Sequence, residues 1–255
     1  MNKKKRKILV VDDEINVCKS IRQAILSDDY DVDTALSGEE ALEKDKERHF
    51  DLVISDLMMP GISGMDLLIS LKKARPEVCI IMITGYPTIK TAVQSVKTGA
   101  FDYIPKPFTP NDLRSLVQRA IKSKEREAEE TESQPEMPPG LFLLKGHTWL
   151  RRESDNTASV GIVYDFVHPL DRIAQLELPK ENKSIFQGEV SARITDGENN
   201  VHRVWSPATG KIVHVNHDLE KDPSLLKNDP YGKGWLFKLE SPNLDLDLKG
   251  LSPSA

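Results

Sequence analysis

The sequence contains few cysteines and few aromatic residues. Two cysteines occur in 255 residues, and phenylalanine, tyrosine and tryptophan together make up 6% of the chain. Cys18 and Cys79 lie within the apolar patterns of a predicted helix and a predicted strand, which is typical of small buried side chains in a reduced protein. The cysteine content excludes a disulfide-stabilised secreted scaffold, and we expect a cytoplasmic protein.

Long hydrophobic runs are also missing. No apolar stretch approaches the roughly 20 residues that a membrane-spanning helix needs. The basic start, Met1–Lys7, is similar to the charged part of an export signal, but the apolar stretch Ile8–Val11 ends at Asp12 and is too short for a signal peptide. We therefore expect no export signal and no membrane partner.

Positive charge is not concentrated in any part of the chain. The net charge is −5, and residues 124–140 carry 2 Lys or Arg against 6 Asp or Glu. A nucleic-acid-binding domain needs a basic surface that neutralises phosphates, and residues 141–255 show no helix-turn-helix pattern. The sequence predicts that no nucleic acid is bound.

Residues 7–121 alternate between strand-like and helix-like patterns with short connections. Ser37, followed three residues later by Glu40, predicts a capping box at the start of the second helix. Five β–α units predict an α/β doubly wound, five-stranded parallel sheet of the flavodoxin-like type. The predicted strands are Ile8–Val11, Tyr30–Ala35, Leu52–Ser55, Val78–Ile83 and Tyr103–Pro105, and the predicted helices are Val17–Leu26, Glu39–Glu47, Gly64–Ala74, Ile89–Thr98 and Asn111–Lys122.

Polar side chains stand at the ends of four predicted strands. Asp12 and Asp13 follow the first strand, Asp56 the third, Thr84 the fourth and Lys106 the fifth. The carboxyl ends of parallel strands meet at one edge, where open α/β folds bind ligands. Three carboxylates call for a divalent cation, most naturally Mg2+, and the lysine and hydroxyl suit a phosphoryl group. The pattern predicts a switch that is phosphorylated on Asp56.

Each of these residues also has an ordinary structural interpretation. Asp12-Asp13 alone is compatible with a helix cap, Thr84-Gly85 alone with a turn after a strand, and Tyr103 alone with a half-buried strand aromatic. Their joint occurrence at predicted strand ends favours a phosphorylation site.

The rest of the chain has two regions of different composition, residues 123–140 and residues 141–250. Residues 123–140 are highly charged and then rich in proline, which predicts a linker; a coiled coil would need apolar heptad positions that are missing after Ile121. Residues 141–250 alternate apolar and polar positions between glycines and prolines, which predicts a small, mostly antiparallel β domain. The predicted domains are residues 1–122, 123–140 and 141–250.

An ordered set of motifs in the first half resembles the receiver domain of two-component response regulators. The motifs are Asp12-Asp13, Asp56, Pro60-Gly61, Thr84 and Tyr103-x-x-Lys106. The resemblance implies that Asp56 accepts a phosphoryl group from the phosphohistidine of a histidine kinase or phosphotransfer protein.

The same resemblance implies a metal site and a switch. Asp13 and Asp56 would ligate Mg2+ directly, Asp12 through water, and Met58 through its backbone carbonyl. Lys106 would pair with the phosphoryl oxygens. The hydroxyl of Thr84 would move onto the phosphate, and Tyr103 would rotate inward behind it. A phosphorylation-dependent homodimer is left open.

The second half resembles the H protein of the glycine cleavage system, which has a lipoyl-type barrel-sandwich hybrid fold. The matching stretches are Gly146–Arg151, Val160–Ile162, Leu176–Pro179, Ser206–Asn216 and Asn228–Lys238. We therefore expect a mostly-β hybrid fold for this domain, with Trp149 and Trp235 packed in its core.

The second half departs from that family at one position. The family carries lipoate on a hairpin lysine eight residues before the proline of an Ala-Pro-x-x-Gly turn; here that proline is Pro207, and eight residues earlier stands Asn199. No lysine occurs between Lys183 and Lys211, and an amide is not acylated as an amine is. We expect a tight turn at Asn199 and no lipoate.

Two interpretations of the strand after this turn stay open. His202, Arg203 and Trp205 lie where the hairpin of the family meets its partners. They predict either a binding face or a solvated strand edge.

The sequence predicts a cytoplasmic response regulator that is not an enzyme beyond its own phosphorylation and dephosphorylation. Its output would be a non-lipoylated, H-protein-like module that binds another protein. The alternative is a lipoyl carrier of glycine or one-carbon metabolism under phosphorylation control, and Asn199 counts against it.

Overall fold

The computed structural model describes residues 5–85, 89–127 and 135–254. The chain forms two compact units, Met1–Arg126 and Glu127–Ala255. No helix in the described ranges is long and apolar enough to cross a membrane.

The first unit alternates strands and helices along the chain. Its five strands form one parallel sheet in the order β2-β1-β3-β4-β5, which confirms the predicted flavodoxin-like sheet. The elements are β1 Arg6–Val11, α1 Ile15–Ala24, β2 Tyr30–Ala35, α2 Gly38–Arg48, β3 Leu52–Asp56, α3 Gly64–Ala74, β4 Cys79–Thr84, α4 Ile89–Lys97, β5 Asp102–Pro105 and α5 Pro110–Glu127.

Burial explains why the central strands are so apolar in sequence. Every residue of β3 is buried, whereas β2 at the sheet edge is mostly half-buried. A central parallel strand is covered by helices on both faces, so it consists of a nearly continuous hydrophobic run.

Polar contacts define where the helices begin and end. Ser37 caps α2 by accepting a hydrogen bond from the Glu40 N–H at 3.2 Å, as predicted, while the Glu40 carboxylate binds the Leu36 N–H at 2.8 Å. Helix α1 ends two residues earlier than predicted, where the Ala24 carbonyl accepts a hydrogen bond from Arg114 at 2.7 Å.

Helix α5 is longer than the predicted Asn111–Lys122. It continues to Glu127, so residues 123–127 of the predicted linker are helical. A buried ion pair between Arg119 and Asp102 attaches this helix to β5, and the Arg119 guanidinium stacks over the Phe101 ring at 4.8 Å. Burial of the guanidinium lowers the pKa of Arg119, against the opposing effect of Asp102.

The second unit is mostly antiparallel β, as predicted. It contains a seven-stranded sheet in the order β10-β13-β14-β8-β7-β6-β15 and a three-stranded sheet in the order β12-β11-β9. The elements are β6 Leu141–Leu144, β7 Thr148–Arg152, β8 Thr157–Ile162, α6 Tyr164–Val167, β9 Ile173–Glu177, β10 Ser184–Ile185, β11 Val190–Asp196, β12 Val201–Trp205, β13 Gly210–Val215, α7 Asp218–Lys221, α8 Leu225–Asn228, β14 Trp235–Glu240, α9 Leu244–Leu248 and β15 Ser252–Pro253.

Trp149 is the largest fully buried side chain of this unit. Its indole N–H donates a hydrogen bond to the Pro230 carbonyl at 3.0 Å, so the polar atom of the ring is satisfied in the core. Gly161 lies directly opposite, and a Cβ at that position would come within 2.2 Å of the indole. Trp235, by contrast, is only half-buried.

We predict that Gly161→Ala destabilises the second unit by about 1–3 kcal/mol, because the added methyl overpacks a fixed ring. All three tryptophans, Trp149, Trp205 and Trp235, lie in this unit, so urea unfolding followed by tryptophan fluorescence reports on it alone. Gly197→Ala is the matched control, since a Cβ there would meet its nearest neighbour at an ordinary 3.5 Å. Equal shifts in the two midpoints would contradict the packing argument.

Candidate functional site

The polar residues predicted at the strand ends lie at one edge of the parallel sheet. Asp12 follows β1, Asp56 ends β3, Thr84 ends β4 and Lys106 follows β5. The strand register pairs Asp56 with Ile83, and Thr84 with Pro105. All four residues therefore reach the carboxyl edge at similar height.

Lys106 joins two carboxylates from different strands. Its Nζ lies 2.8 Å from Asp12 Oδ2 and 2.8 Å from Asp56 Oδ1. Asp12 is 1% exposed and Asp56 is 6% exposed. Two buried carboxylates this close to one ammonium form a compact site in which the lysine offsets part of their mutual repulsion.

Backbone N–H groups orient the remaining carboxylate oxygens. Asp12 Oδ1 accepts a hydrogen bond from the Glu14 N–H at 3.0 Å, and Asp56 Oδ2 accepts one from the Met58 N–H at 2.6 Å. Each carboxylate is thus held by one backbone group and by Lys106.

The site raises the pKa of Lys106 above its ordinary value of 10.5. Burial alone would lower this pKa, but the hydrogen bonds and charges of Asp12 and Asp56 outweigh it. Lys106 is therefore fully charged at neutral pH. Its stabilising contribution is complete below its ordinary pKa and is lost as the pH rises through the higher folded-state pKa.

Asp13 lies at the same edge but is exposed to solvent. Among residues 5–85, 89–127 and 135–254, no group of three or more His, Cys, Asp or Glu side chains is gathered around one point for a metal ion. The role of Asp13 as a Mg2+ ligand stays a prediction.

The two predicted switch residues are both inside the unit. Thr84 is 0% exposed and Tyr103 is 3% exposed. The Tyr103 ring is therefore already packed inward in this structure.

Gly64 contributes to the site through its lack of a side chain, and its position at the start of the predicted helix Gly64–Ala74 was the only sequence signal for it. A Cβ on Gly64 would lie 2.0 Å from the backbone oxygen of Asp56. Helix α3 can therefore begin directly against the end of β3 because its first residue is glycine.

In the second unit, Asn199 lies in the tight turn that was predicted between β11 and β12. Its φ of 66° is in the left-handed region, which asparagine tolerates better than most residues. The Asp196 carboxylate closes the turn by accepting hydrogen bonds from the N–H groups of Glu198 and Asn200, both at 2.9 Å. His202 Nε2 lies 2.9 Å from the same carboxylate.

These contacts lower the pKa of Asp196. Burial alone would raise it, but the hydrogen bonds from His202 and Asn200 outweigh burial.

The predicted binding face on β12 is wrong for two of its three residues. His202 is 5% exposed and Trp205 is 6% exposed, so neither side chain is available at a surface or at a solvated edge. A β-bulge between Val190 and Ala192 on the neighbouring strand shifts the register. Val204 and Trp205 are consecutive and both buried, so β12 does not alternate between a buried and an exposed face at its end.

Comparisons with known proteins divide the chain into the same two parts. The model of the response regulator receiver domain matches residues 8–118. The model of the glycine cleavage H-protein matches residues 141–253.

Individual relatives agree with these matches. The first half is 38% identical over 114 residues to the transcriptional regulatory protein ZraR of Escherichia coli O157:H7. The aligned region covers 45% of this chain and 26% of ZraR. The second half is 36% identical over 104 residues to the glycine cleavage system H protein of Coxiella burnetii. The aligned region covers 41% of this chain and 79% of the H protein.

A third relative aligns along almost the whole chain. The alkaline phosphatase synthesis transcriptional regulatory protein PhoP of Bacillus subtilis is 28% identical over 250 residues, which cover 94% of this chain and 99% of PhoP.

The parallel sheet, its polar edge and the matched family model together define a receiver domain. The chain therefore carries a response regulator receiver domain in its first half and a glycine cleavage H-protein domain in its second half.

We predict that Lys106→Ala destabilises the first unit by about 1–3 kcal/mol in metal-free buffer, because two buried carboxylates lose their shared cation. Thermal unfolding followed by the helical circular dichroism signal measures this, since the longer helices lie in this unit. Adding Asp56→Asn to that variant should restore part of the loss by removing one negative charge.

Lys44→Ala is the matched control for this prediction. Lys44 Nζ also lies near two carboxylates, 3.1 Å from Glu40 and 3.3 Å from Asp33, but these two carboxylates are substantially more exposed than those of Asp12 and Asp56. We expect a cost below about 1 kcal/mol, and equal losses for Lys44→Ala and Lys106→Ala would refute the proposed importance of the buried bridge.

Proposed function

We propose that Asp56 is the phosphoacceptor of this protein and receives its phosphoryl group from a histidine kinase or phosphotransfer protein. The observation that carries the proposal is the 2.8 Å contact between Asp56 Oδ1 and the Lys106 ammonium in a buried site. An Asp56 oxygen forms the new bond to phosphorus as the bond to the histidine nitrogen breaks. Lys106 then offsets the added negative charge.

The donor set at the edge suits Mg2+. Asp12, Asp13 and Asp56 together with the backbone carbonyl of Met58 offer oxygen atoms only, as Mg2+ prefers. Asp13 and Asp56 would hold the ion directly and Asp12 through water. Bound there, the ion would neutralise charge on the phosphoryl oxygens during transfer.

Thr84 and Tyr103 form the switch in this proposal. Phosphorylation adds up to about two negative charges and three acceptor oxygens. The hydroxyl of Thr84 then donates to the phosphoryl group, and phosphorylation holds the Tyr103 ring in the inward position behind it that the ring already occupies in this structure. The full burial of Thr84 supports this, because a new hydrogen bond from its hydroxyl in a closed interior requires its neighbours to rearrange.

We predict that incubation with a small phosphodonor and Mg2+ adds one acid-labile phosphoryl group to the protein and that Asp56→Asn abolishes it. The asparagine keeps the size of the side chain but lacks the nucleophilic carboxylate. Asp66→Asn is the control, because Asp66 lies on α3 and binds the Ser63 hydroxyl at 2.6 Å outside the site. Equal labelling of wild type and Asp56→Asn would show that the assignment is wrong.

The proposed domains are a receiver at residues 1–122, a linker at 123–140 and an output domain at 141–250. We assign the output domain a role in binding another protein in the cytoplasm. The described helices of this half contain four or five residues, which does not support a helix-turn-helix output. ZraR and PhoP are named transcriptional regulators; the ZraR match covers 26% of that protein, and PhoP aligns along 99% of its length at 28% identity.

The output domain keeps the family fold without its carrier chemistry in this proposal. Asn199 stands at the position that the resemblance assigns to the lipoyl lysine, and no lysine occurs between Lys183 and Lys211. The turn at Asn199 is closed by Asp196. The alternative function, a lipoyl carrier under phosphorylation control, requires an acylated amine somewhere in this domain.

We predict that co-expression with a lipoyl ligase leaves the intact mass of the protein unchanged, because Asn199 offers no amine. The glycine cleavage system H protein of Coxiella burnetii, co-expressed in the same way, serves as the positive control. A lipoyl mass increment mapped to residues 141–255 would replace the proposed output function with the carrier function.

A further inference from the structure

The segment between β3 and α3, residues 57–63, is here called the phosphorylation loop because it follows Asp56 directly. Both of its ends are fixed. At the first end the Met58 N–H donates to Asp56 Oδ2 at 2.6 Å. At the other end Ser63 caps α3 by accepting from the Asp66 N–H at 3.2 Å.

The middle of the loop is held by a residue from another element. The Ile62 N–H donates a hydrogen bond to Glu39 Oε1 at 3.1 Å, and Glu39 lies in the first turn of α2. Hydrogen bonds to an ionised acceptor are stronger than those between neutral groups. This contact links the start of α2 to the loop across 23 residues of sequence.

Two glycines let these elements approach each other. A Cβ on Gly38 would come within 2.7 Å of the Ile62 side chain, and a Cβ on Gly61 would come within 2.7 Å of Glu39 Oε1. Gly61 also has a φ of 74°, which favours glycine. Glu39 itself is exposed to solvent, and the close approach at Gly38 and Gly61 keeps the start of α2 within hydrogen-bonding distance of the loop.

We propose that Glu39 is a positioning residue. It holds the phosphorylation loop in the conformation in which the Met58 N–H donates to the Asp56 carboxylate. The inference deepens the proposed function of Asp56 and rests on it. Glu39 acts on the site through the loop backbone. Without the Glu39 acceptor, the Ile62 N–H loses its hydrogen bond and the loop backbone becomes more mobile. The mobility extends to Met58, whose N–H binds Asp56 and whose carbonyl is a proposed Mg2+ ligand.

The test compares Glu39→Ala, Glu39→Gln and Glu43→Ala in the full chain. Glu39→Ala removes the acceptor, whereas Glu39→Gln retains an oxygen that accepts the Ile62 N–H. Glu43 lies one turn further along α2 and is exposed, so Glu43→Ala controls for the loss of a carboxylate from the same helix.

Two measurements are made without any phosphodonor. The first is hydrogen exchange of the Ile62 amide in metal-free protein, followed by NMR. The second is the dissociation constant of Mg2+ by calorimetry. For Glu39→Ala we expect exchange to accelerate at least about fivefold and the Mg2+ dissociation constant to rise about threefold. Glu43→Ala should stay within about twofold of wild type, and Glu39→Gln should fall between wild type and Glu39→Ala, because its neutral oxygen accepts a weaker hydrogen bond.

A wild-type exchange rate and Mg2+ affinity in Glu39→Ala would overturn the inference. Equal impairment in Glu39→Gln, or in Glu43→Ala, would do the same, because neither variant removes the acceptor. Both measurements are independent of phosphorylation. If wild type takes no phosphoryl group from a phosphodonor, the proposed function of Asp56 fails, and these two measurements still decide the role of Glu39 in positioning the loop.

Discussion

The bridge of Lys106 between Asp12 and Asp56 is the interaction on which the first domain's site depends. Two almost fully buried carboxylates would repel each other and lose hydration without a cation between them. The three residues come from the ends of β1, β3 and β5, and β4 lies between β3 and β5 in the sheet. The site therefore exists only when β1, β3, β4 and β5 are assembled side by side, which couples the chemistry of the edge to the integrity of most of the sheet.

Close backbone approach is the second constraint around this site. Gly64 brings the start of α3 against the Asp56 carbonyl, and Gly38 brings the start of α2 against Ile62. Larger side chains at these positions would push the helices outward and move the loop that connects β3 to α3. The loop is therefore shaped by helix packing as much as by its own sequence, and its position relative to Asp56 follows from that packing.

The second domain shows how a family fold can persist when one chemical group is replaced. Its core is organised around Trp149, whose ring lies against Gly161, and its hairpin is closed by the Asp196 carboxylate. These features need no amine at the hairpin tip, and Asn199 suits the left-handed turn that the tip adopts. Packing and turn geometry are thus independent of carrier chemistry, which is why the H-protein family match and the proposed absence of lipoate are compatible.

The alternation of strands and helices in the sequence determined the parallel sheet, and with it the meeting of Asp12, Asp56, Thr84 and Lys106 at one edge, because parallel strands all end on the same side. The tertiary structure alone decided which groups touch. The contact of Glu39 with Ile62 joins residues whose local patterns carry no sign of each other. The burial of His202 and Trp205 was likewise decided by the tertiary structure, because the burial of a strand side chain depends on what packs against its face and not on the strand's own sequence.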